Sequence, residues 1–149
     1  MGSYIIRPSA FPDISNLAGT LRFDDWAEIT CFGLRPFQAI RQSYRESFIR
    51  KTADANGEVI AMWGCAGSMF GTGQPWLLTG KGIEAHKVSF IRQAKIEIGT
   101  MLTHCDSLEG IVVDRYTRAI RLLEVLGFDL SDPFPIQNNM VRRYTLRSN

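Results

Sequence analysis

The sequence predicts a mixed α/β fold in which one sheet carries helices on its faces. Apolar segments that suit strands, such as residues 58–65, are interleaved with segments of helical period, such as residues 88–104. The 149 residues are the size of one domain with one core, and no repeat, linker or low-complexity tract divides them. Because such mixed neighbours pack as helices on a single sheet, we expect one domain that covers residues 1–149.

Local patterns place each element along the chain. The predicted elements are a strand at 4–8, helices at about 12–21 and 35–49, strands at 51–54 and 58–65, a glycine-rich loop at 66–75, a strand at 76–79, a helix at 88–104, a strand at 108–113, a helix at 117–126, a strand at 128–130, a loop at 132–135 and a strand at 140–146. The first helix begins near Pro12, with Asp13 or Ser15 as its cap. Asn56-Gly57 is the preferred pair for a two-residue hairpin turn. The order is therefore β-α-α-β-β-β-α-β-α-β-β.

The helix at 88–104 has the clearest pattern. Its apolar residues recur with a period of 3.6 and are expected to face the core: Val88, Ile91, Ala94, Ile98, Met101 and Leu102. The charged residues Arg92, Lys95 and Glu97 fall on other faces.

Composition and charge argue against several classes of protein. Hydrophobic residues make up 45% and charged residues 21%, a mixture typical of folded globular proteins. The net charge of +2 is too weak to indicate a nucleic-acid partner, and no apolar stretch is long enough to span a bilayer. Three cysteines without paired spacing argue against a disulfide framework and against a metal site, and they favour an intracellular setting.

Four segments, which together cover nearly the whole chain, carry a resemblance to a known superfamily. They are Ile6-Arg7-Pro8 followed by Asp13-Ile14, Gly57-Glu58-Val59-Ile60-Ala61, Trp76-Leu77-Leu78-Thr79, and Ala119 to Leu126-Gly127-Phe128. They resemble the GNAT superfamily of N-acetyltransferases, whose closing helix typically ends in an aliphatic residue, Gly and Phe. The resemblance implies a single mixed, mostly antiparallel central sheet with helices on both faces, and acetyl-CoA or CoA as the ligand.

A narrower combination of residues carries a second resemblance. It consists of residues 76–79, His86, Phe90, Ile91, Ile120-Arg121 and the closing Leu126-Gly127-Phe128. It resembles a small family of GNAT-like proteins from short-tailed bacteriophages, known mainly as virion-internal or uncharacterised proteins. This implies a place in the cytoplasm of an infected bacterial host, or in the virion.

The superfamily binds the CoA pyrophosphate in a turn at the start of its central helix, where free N–H groups and the helix dipole meet the anion. Its pattern is Gln or Arg, two residues, Gly, one residue, then Gly or Ala. Over residues 79–84 only Gly82 fits, because Thr79 replaces the first polar residue and Glu84 the small last one. Two interpretations stay open, a modified phosphate loop or a turn with solvated charges. The CoA contacts that the resemblance implies are Leu77, Leu78 and Thr79 through their backbone, with Gly80, Lys81, Gly82, His86, Lys87 and Arg115.

The catalytic groups match the superfamily less well. The Tyr that often protonates the departing thiolate is replaced by Leu123. Tyr116 stands where the superfamily has Asn, and it is either a contact for cofactor or substrate or a packed residue. A general base must also take a proton from the amine. Glu28, Glu46, Glu58 and a water chain are the candidates, and Glu28 lies in the segment that usually lines the substrate side.

Two hypotheses follow from this reading. The first is an acyl-CoA-dependent N-acetyltransferase domain with a degenerate pyrophosphate loop. The second is a non-catalytic, phage-encoded GNAT-like protein that binds a virion or host protein. The strand at 140–146 is in addition a candidate edge for a homodimer.

Overall fold

The computed structural model of the chain describes residues 3–67 and 70–148. Its elements are β1 (Ile5–Pro8), α1 (Pro12–Ala18), α2 (Phe23–Cys31), α3 (Pro36–Glu46), β2 (Ser47–Ala55), β3 (Glu58–Gly67), β4 (Thr72–Thr79), a 3₁₀-helix (Lys81–His86), α4 (Lys87–His104), β5 (Ser107–Val113), α5 (Thr117–Val125), β6 (Asp129–Leu130), β7 (Phe134–Ile136) and β8 (Asn139–Arg147). This succession confirms the predicted mixed α/β class.

The strands form one mainly antiparallel sheet. The order is β1-β2-β3-β4-β5-β8-β6, and β7 pairs with β8. The pair β4–β5 is parallel, and its register places Thr72 opposite Ser107 and Gly73 opposite Leu108. The β2–β3 hairpin turns at Asn56-Gly57, where φ is 53° and 91°, as the sequence predicts for a tight turn.

The chain divides into two compact units. The first contains Met1–Ala66 and Trp76–Phe90, and the second contains Gly67–Pro75 and Ile91–Asn149. Strand β4 and helix α4 therefore each contribute residues to both units. The turn that follows β4 belongs entirely to the first unit.

The core of the first unit lies where the N-terminal helices cover the sheet. Its buried side chains form one cluster, against which Ala18, Ala39, Tyr44, Trp76 and Leu78 pack: Ile14, Leu17, Leu21, Ile29, Ile40, Val59 and Met62. Leu17 and Ile40 are fully buried, so their methyl groups supply the favourable transfer free energy that holds α1 and α3 in place.

In the second unit, Tyr144 of β8 lies across from Gly110 of β5. A Cβ atom at Gly110 would overlap the Tyr144 hydroxyl group, so the glycine makes room for the ring. The hydroxyl donates to the Pro75 carbonyl at 3.2 Å. Pro75 has no N–H of its own to offer a neighbouring strand, which explains why the β4–β5 ladder does not continue past Gly73.

The structure corrects several predicted elements. An additional helix, α2, precedes α3, and α3 ends at Glu46 because Ser47 is extended and pairs with Ala66 of β3. Asp13 does not cap α1. The cap position is Phe11, and the Asp13 carboxylate bonds to Arg7 instead.

Two segments predicted as loops are partly strand. Residues 66–75 contain the end of β3 and the start of β4, and β7 occupies Phe134–Ile136. Thr72 pairs with the distant Ser107, whereas β7 pairs with the adjacent β8 in a short hairpin; in both places glycine and proline content alone predicted a loop.

The surfaces of α4 and β8 also differ from expectation. On α4, Val88 and Ile91 are exposed whereas Glu97 is buried. Strand β8 is not an edge, because β5 pairs with one side of it and β6 and β7 with the other. The prediction that 140–146 is a free edge is therefore wrong, and the homodimer itself stays a prediction.

Candidate functional site

The C-terminal end of β4 leads directly into the predicted pyrophosphate turn. The Gly80 N–H donates to the Ile60 carbonyl of β3 at 2.8 Å. Because successive N–H groups of a strand point to opposite sides, the N–H groups of Thr79 and Leu77 face away from β3. The Leu77 N–H is thus directed to the side of β4 opposite β3.

From Thr79 onward, residues 20–22 cover the side of β4 that faces away from β3. Arg22 N–H donates to the Thr79 carbonyl at 3.0 Å, and Lys81 N–H donates to the Thr20 carbonyl at 2.8 Å. Leu21 and Gly80 form an isolated antiparallel β-bridge between these two segments. The open side of β4 therefore ends between Leu77 and Thr79.

Asp25 of α2 lies at this boundary. Its Oδ2 accepts the Thr79 backbone N–H at 2.9 Å and the Thr79 hydroxyl at 2.5 Å. Burial raises the pKa of Asp25 above its ordinary value, although the two Thr79 hydrogen bonds and the charge of Arg22 act in the opposite direction. The Thr79 N–H, which the sequence predicts as a donor to CoA, is therefore already hydrogen-bonded to the Asp25 carboxylate.

The glycine turn keeps one donor that no other backbone group uses. The N–H groups of Gly80 and Lys81 donate to the carbonyls of Ile60 and Thr20. The Gly82 N–H has no acceptor among the described residues. A Cβ atom at Gly82 would lie 2.7 Å from both Glu58 Oε2 and Ile60 Cγ2. Gly82 is therefore fixed by packing against β3, whatever else the turn binds.

Glu84 forms ion pairs with two cations that flank the turn. Its Oε1 lies 3.3 Å from Arg22 Nε, and its Oε2 lies 2.6 Å from Lys87 Nζ. The Glu84 carboxylate thus pairs with the two cations that could otherwise pair with a phosphate. It also places a negative charge near the start of α4. Lys81, in contrast, is exposed and forms no ion pair with another described residue.

His86 has a packing role in the first unit. Its ring meets the edge of the Tyr4 ring, with centroids 5.1 Å apart, and its carbonyl accepts from the Ser89 hydroxyl at 3.1 Å. Tyr4 in turn contacts Phe90, with ring centroids 6.3 Å apart. These contacts tie β1 to the start of α4.

The two catalytic candidates from the sequence lie in different units. Glu28 is half-buried in the middle of α2, in the first unit. Tyr116 is the cap residue of α5 in the second unit, where the Arg115 guanidinium lies 5.3 Å from its ring centre. Arg115 therefore stacks on Tyr116, and Tyr116 makes no side-chain cap bond to the helix.

Sequence reasoning missed α2 and, with it, Asp25. A signal was present, because two acids, Asp24 and Asp25, open the helix and Gly33 with φ of 79° follows its end. Within the described residues, no group of three or more His, Cys, Asp and Glu could hold a metal ion. No described helix is long and apolar enough to cross a membrane.

Comparison with solved structures identifies the fold. The chain is similar to Ard1 from Thermoplasma volcanium, with a TM-score of 0.74 at 13% identity over 99% of both chains. It is similar to an acetyltransferase of the GNAT family from Bacillus anthracis, with a TM-score of 0.69 at 12% identity over 99% of this chain and 97% of the other. It also resembles AAC(6')-Ib in complex with ribostamycin and coenzyme A, with a TM-score of 0.69 at 15% identity over 97% and 93% of the chains.

These likenesses establish the fold of the GNAT acetyltransferases for this chain. No family model and no curated protein sequence matches it. The predicted superfamily fold is thus confirmed, and the narrower phage resemblance stays a prediction.

Proposed function

We propose that the chain is an acyl-CoA-binding domain that transfers an acetyl group to an amine. The observation that carries this proposal is the course of β4, which runs through Leu77 into the Gly80–Gly82 turn and then into the start of α4. The fold supports the same ligand class, since one similar structure is a complex with coenzyme A.

The residues present fit acyl-CoA along β4 better than at the turn. The Leu77 N–H would donate to a pantetheine carbonyl on the side away from β3. Gly82 N–H and the Lys81 ammonium group would meet the pyrophosphate, while Glu84 opposes it by charge. Bound acyl-CoA would supply an activated thioester, and the chain would orient it. We therefore expect weak but specific binding.

The absence of a tyrosine at Leu123 does not prevent acyl transfer. A thiol has a pKa of about 8.5, so it leaves as a thiolate near neutral pH with little help from an acid. The contacts that the sequence resemblance implies for Arg115 and Tyr116 stay predictions.

Glu84→Gln should strengthen acetyl-CoA binding. Removal of this carboxylate frees Arg22 and Lys87, and an exposed charge of this kind is worth up to about 1 kcal/mol, or roughly fivefold in Kd. Isothermal titration of acetyl-CoA and of free CoA measures the change. Lys81→Gln should weaken binding by a similar factor, because it removes the exposed cation of the turn.

Glu124→Gln is the matched control, since it removes the same charge from an exposed site on α5. It should leave the Kd unchanged. Gly82 is unsuitable as a probe because any side chain there collides with Glu58 and Ile60. No detectable binding at millimolar acetyl-CoA in the wild type and in Glu84→Gln would refute the proposal.

The second hypothesis, a non-catalytic phage protein of the host cytoplasm or virion, has one observation in its favour. Glu84 already pairs with Arg22 and Lys87, so two of the cations beside the turn are neutralised without a ligand. If acetyl-CoA does not bind, purified virions and infected-cell extracts should contain the chain in a stoichiometric complex with one protein. Absence of such a complex from both would argue against this alternative.

A further inference from the structure

Helix α3 and the strand that follows it carry arginine side chains that no carboxylate neutralises. Arg41 and Arg45 are four residues apart on α3 and therefore share a face of the helix. Arg50 of β2 follows the end of the helix and is exposed. Among the residues that the structure describes, no carboxylate forms an ion pair with these three guanidinium groups. Glu46, the acid of this helix, accepts a hydrogen bond from Gln42 at 3.1 Å instead.

Aromatic rings lie between and beside these cations. The Arg50 guanidinium lies 4.2 Å from the centre of the Tyr44 ring, and Phe11 packs edge-to-face on Tyr44 with ring centroids 6.2 Å apart. Phe11 is 50% exposed, and Phe37, four residues before Arg41 on the same face of α3, is 39% exposed. We refer to these residues together as the arginine–aromatic face: Phe11, Phe37, Arg41, Tyr44, Arg45 and Arg50.

Helix stability accounts for only part of this face. A cation in the last turn of a helix interacts favourably with the helix dipole, which explains Arg45. The dipole does not explain Arg50, which lies on a strand, or the exposure of the Phe11 and Phe37 rings to water. Both of these features suit a ligand that is anionic and that also offers flat rings.

We propose that the arginine–aromatic face binds single-stranded nucleic acid. Phosphates of the strand pair with Arg41, Arg45 and Arg50, and unstacked bases lie against the exposed rings of Phe11 and Phe37. An acidic peptide would satisfy the arginines but leave both rings in water, and a duplex offers open base faces only at its ends. The proposal goes beyond acyl transfer and does not depend on it.

The net charge of the chain conceals this face. Residues 35–51 include all three arginines of the face together with Arg35 and Lys51, and Glu46 is their only acid. The other acids of the chain lie outside this segment and reduce the total to +2. A polyanion responds to charges within about one Debye length, roughly 10 Å at 0.1 M salt. The local excess of arginine therefore matters more for such a ligand than the net charge does.

Fluorescence anisotropy of a labelled oligothymidine of roughly 12 nucleotides tests the proposal on the whole chain. The wild type should bind with a Kd of about 1–100 µM near physiological salt, and the affinity should fall steeply as salt is added. Three comparison ligands carry the same charge without open bases: an abasic strand, a duplex with the same number of phosphates, and a polyglutamate peptide. Each should bind about fivefold or more weakly, because stacking on the rings is lost.

The double variant Arg41→Gln with Arg45→Gln separates this face from general positive charge. It should weaken binding about tenfold or more and reduce the salt slope by about 1.4, because each phosphate contact on a single strand contributes about 0.7. Arg118→Gln with Arg121→Gln is the matched control, since it removes the same charge from exposed positions on α5. It should change the Kd by less than about twofold.

Phe37→Leu tests the contribution of the rings. It should weaken binding about fivefold or more and leave the salt slope unchanged, because it removes a stacking surface but no charge. The circular dichroism spectrum of each variant should match that of the wild type. Arg45 is exposed, so Arg45→Gln alone tests the face if the double variant proves unstable.

Three results would each overturn the proposal. They are no binding by the wild type, equal losses in the two double variants, and an oligothymidine affinity no higher than that for the comparison ligands. Saturating acetyl-CoA should leave the oligothymidine Kd unchanged. Competition would place the strand at the pyrophosphate turn, which would refute the assignment to α3 and leave acyl-CoA binding intact.

Discussion

Asp13→Ala is expected to lower the free energy of unfolding by about 2–3 kcal/mol, because it leaves buried donors without their acceptor, whereas Arg7 keeps its second ion pair with Asp54. The Asp13 side chain accepts both Arg7 guanidinium nitrogens at 2.8 Å, the Ala10 N–H at 2.8 Å and the Thr52 hydroxyl at 2.9 Å. Asp13 is only 5% exposed, so water cannot replace these bonds. Urea unfolding at pH 7 measures the loss.

The contribution of Asp13 should also depend on pH. Burial alone would raise the pKa of Asp13, but the hydrogen bonds from Arg7, Ala10 and Thr52 outweigh burial and hold the pKa below its ordinary value. A depressed pKa stabilises the fold above the unfolded-state pKa of about 3.9. The stabilisation is lost as the pH falls through the folded-state pKa. The difference between wild type and Asp13→Ala should therefore shrink progressively as the pH falls below the unfolded-state pKa of about 3.9.

Asp132→Ala is the control for this prediction. Asp132 is exposed between β6 and β7, so its replacement should change stability by less than about 0.5 kcal/mol. A loss below about 1 kcal/mol for Asp13→Ala, or a loss that does not vary with pH, would mean that the Arg7–Asp13 pair behaves as an exposed ion pair.

Gly64→Ala is expected to destabilise the fold by about 2–3 kcal/mol through overpacking. A Cβ atom at Gly64 would overlap the Ile49 carbonyl oxygen of β2 and lie 3.0 Å from the Trp76 indole ring. Neither neighbour can move freely. The Ile49 carbonyl is backbone of a paired strand, and the indole N–H is held by the Ser47 hydroxyl at 2.7 Å. Thermal and urea unfolding both measure the effect.

Gly99→Ala provides a matched control in the same protein. A Cβ atom at Gly99 meets no atom within 4 Å, and the residue lies inside helix α4. Alanine should therefore stabilise the fold by about 0.5–1 kcal/mol, because it restricts the unfolded chain and suits a helix. Equal effects at Gly64 and Gly99 would show that close packing at Gly64 does not govern stability.

Much of the fold was predictable because its signals are local. Asn56-Gly57 forms the turn of the β2–β3 hairpin, and α4 covers Lys87–His104 against a predicted 88–104. One error occurred where pairing crosses long distances in the chain. The glycine-rich stretch 66–75 becomes strand only because partners such as Ser107 and Ser47 supply its neighbours in the sheet.

The candidate site was predicted in part. The turn at Gly80–Gly82 follows a strand as expected, and the mismatch at Glu84 was visible in the sequence. That Glu84 is held by Arg22, and that Gly82 is pressed against Glu58, depends on packing between separate elements. Helix α2 was missed because its residues Phe23 and Trp26 are exposed and do not form a regular apolar stripe.

The sequence by itself determined the class of fold, the hairpin turn, the long helix and the departures from the CoA-binding pattern. These depend on residue type and on spacing within about one helix or strand. Only the tertiary structure decided that Asp25 meets Thr79 across 54 positions of sequence, and that β8 is paired on both sides. Such contacts arise when elements pack together. Local periodicity does not specify them, because each helix or strand has the same sequence pattern whichever element it packs against.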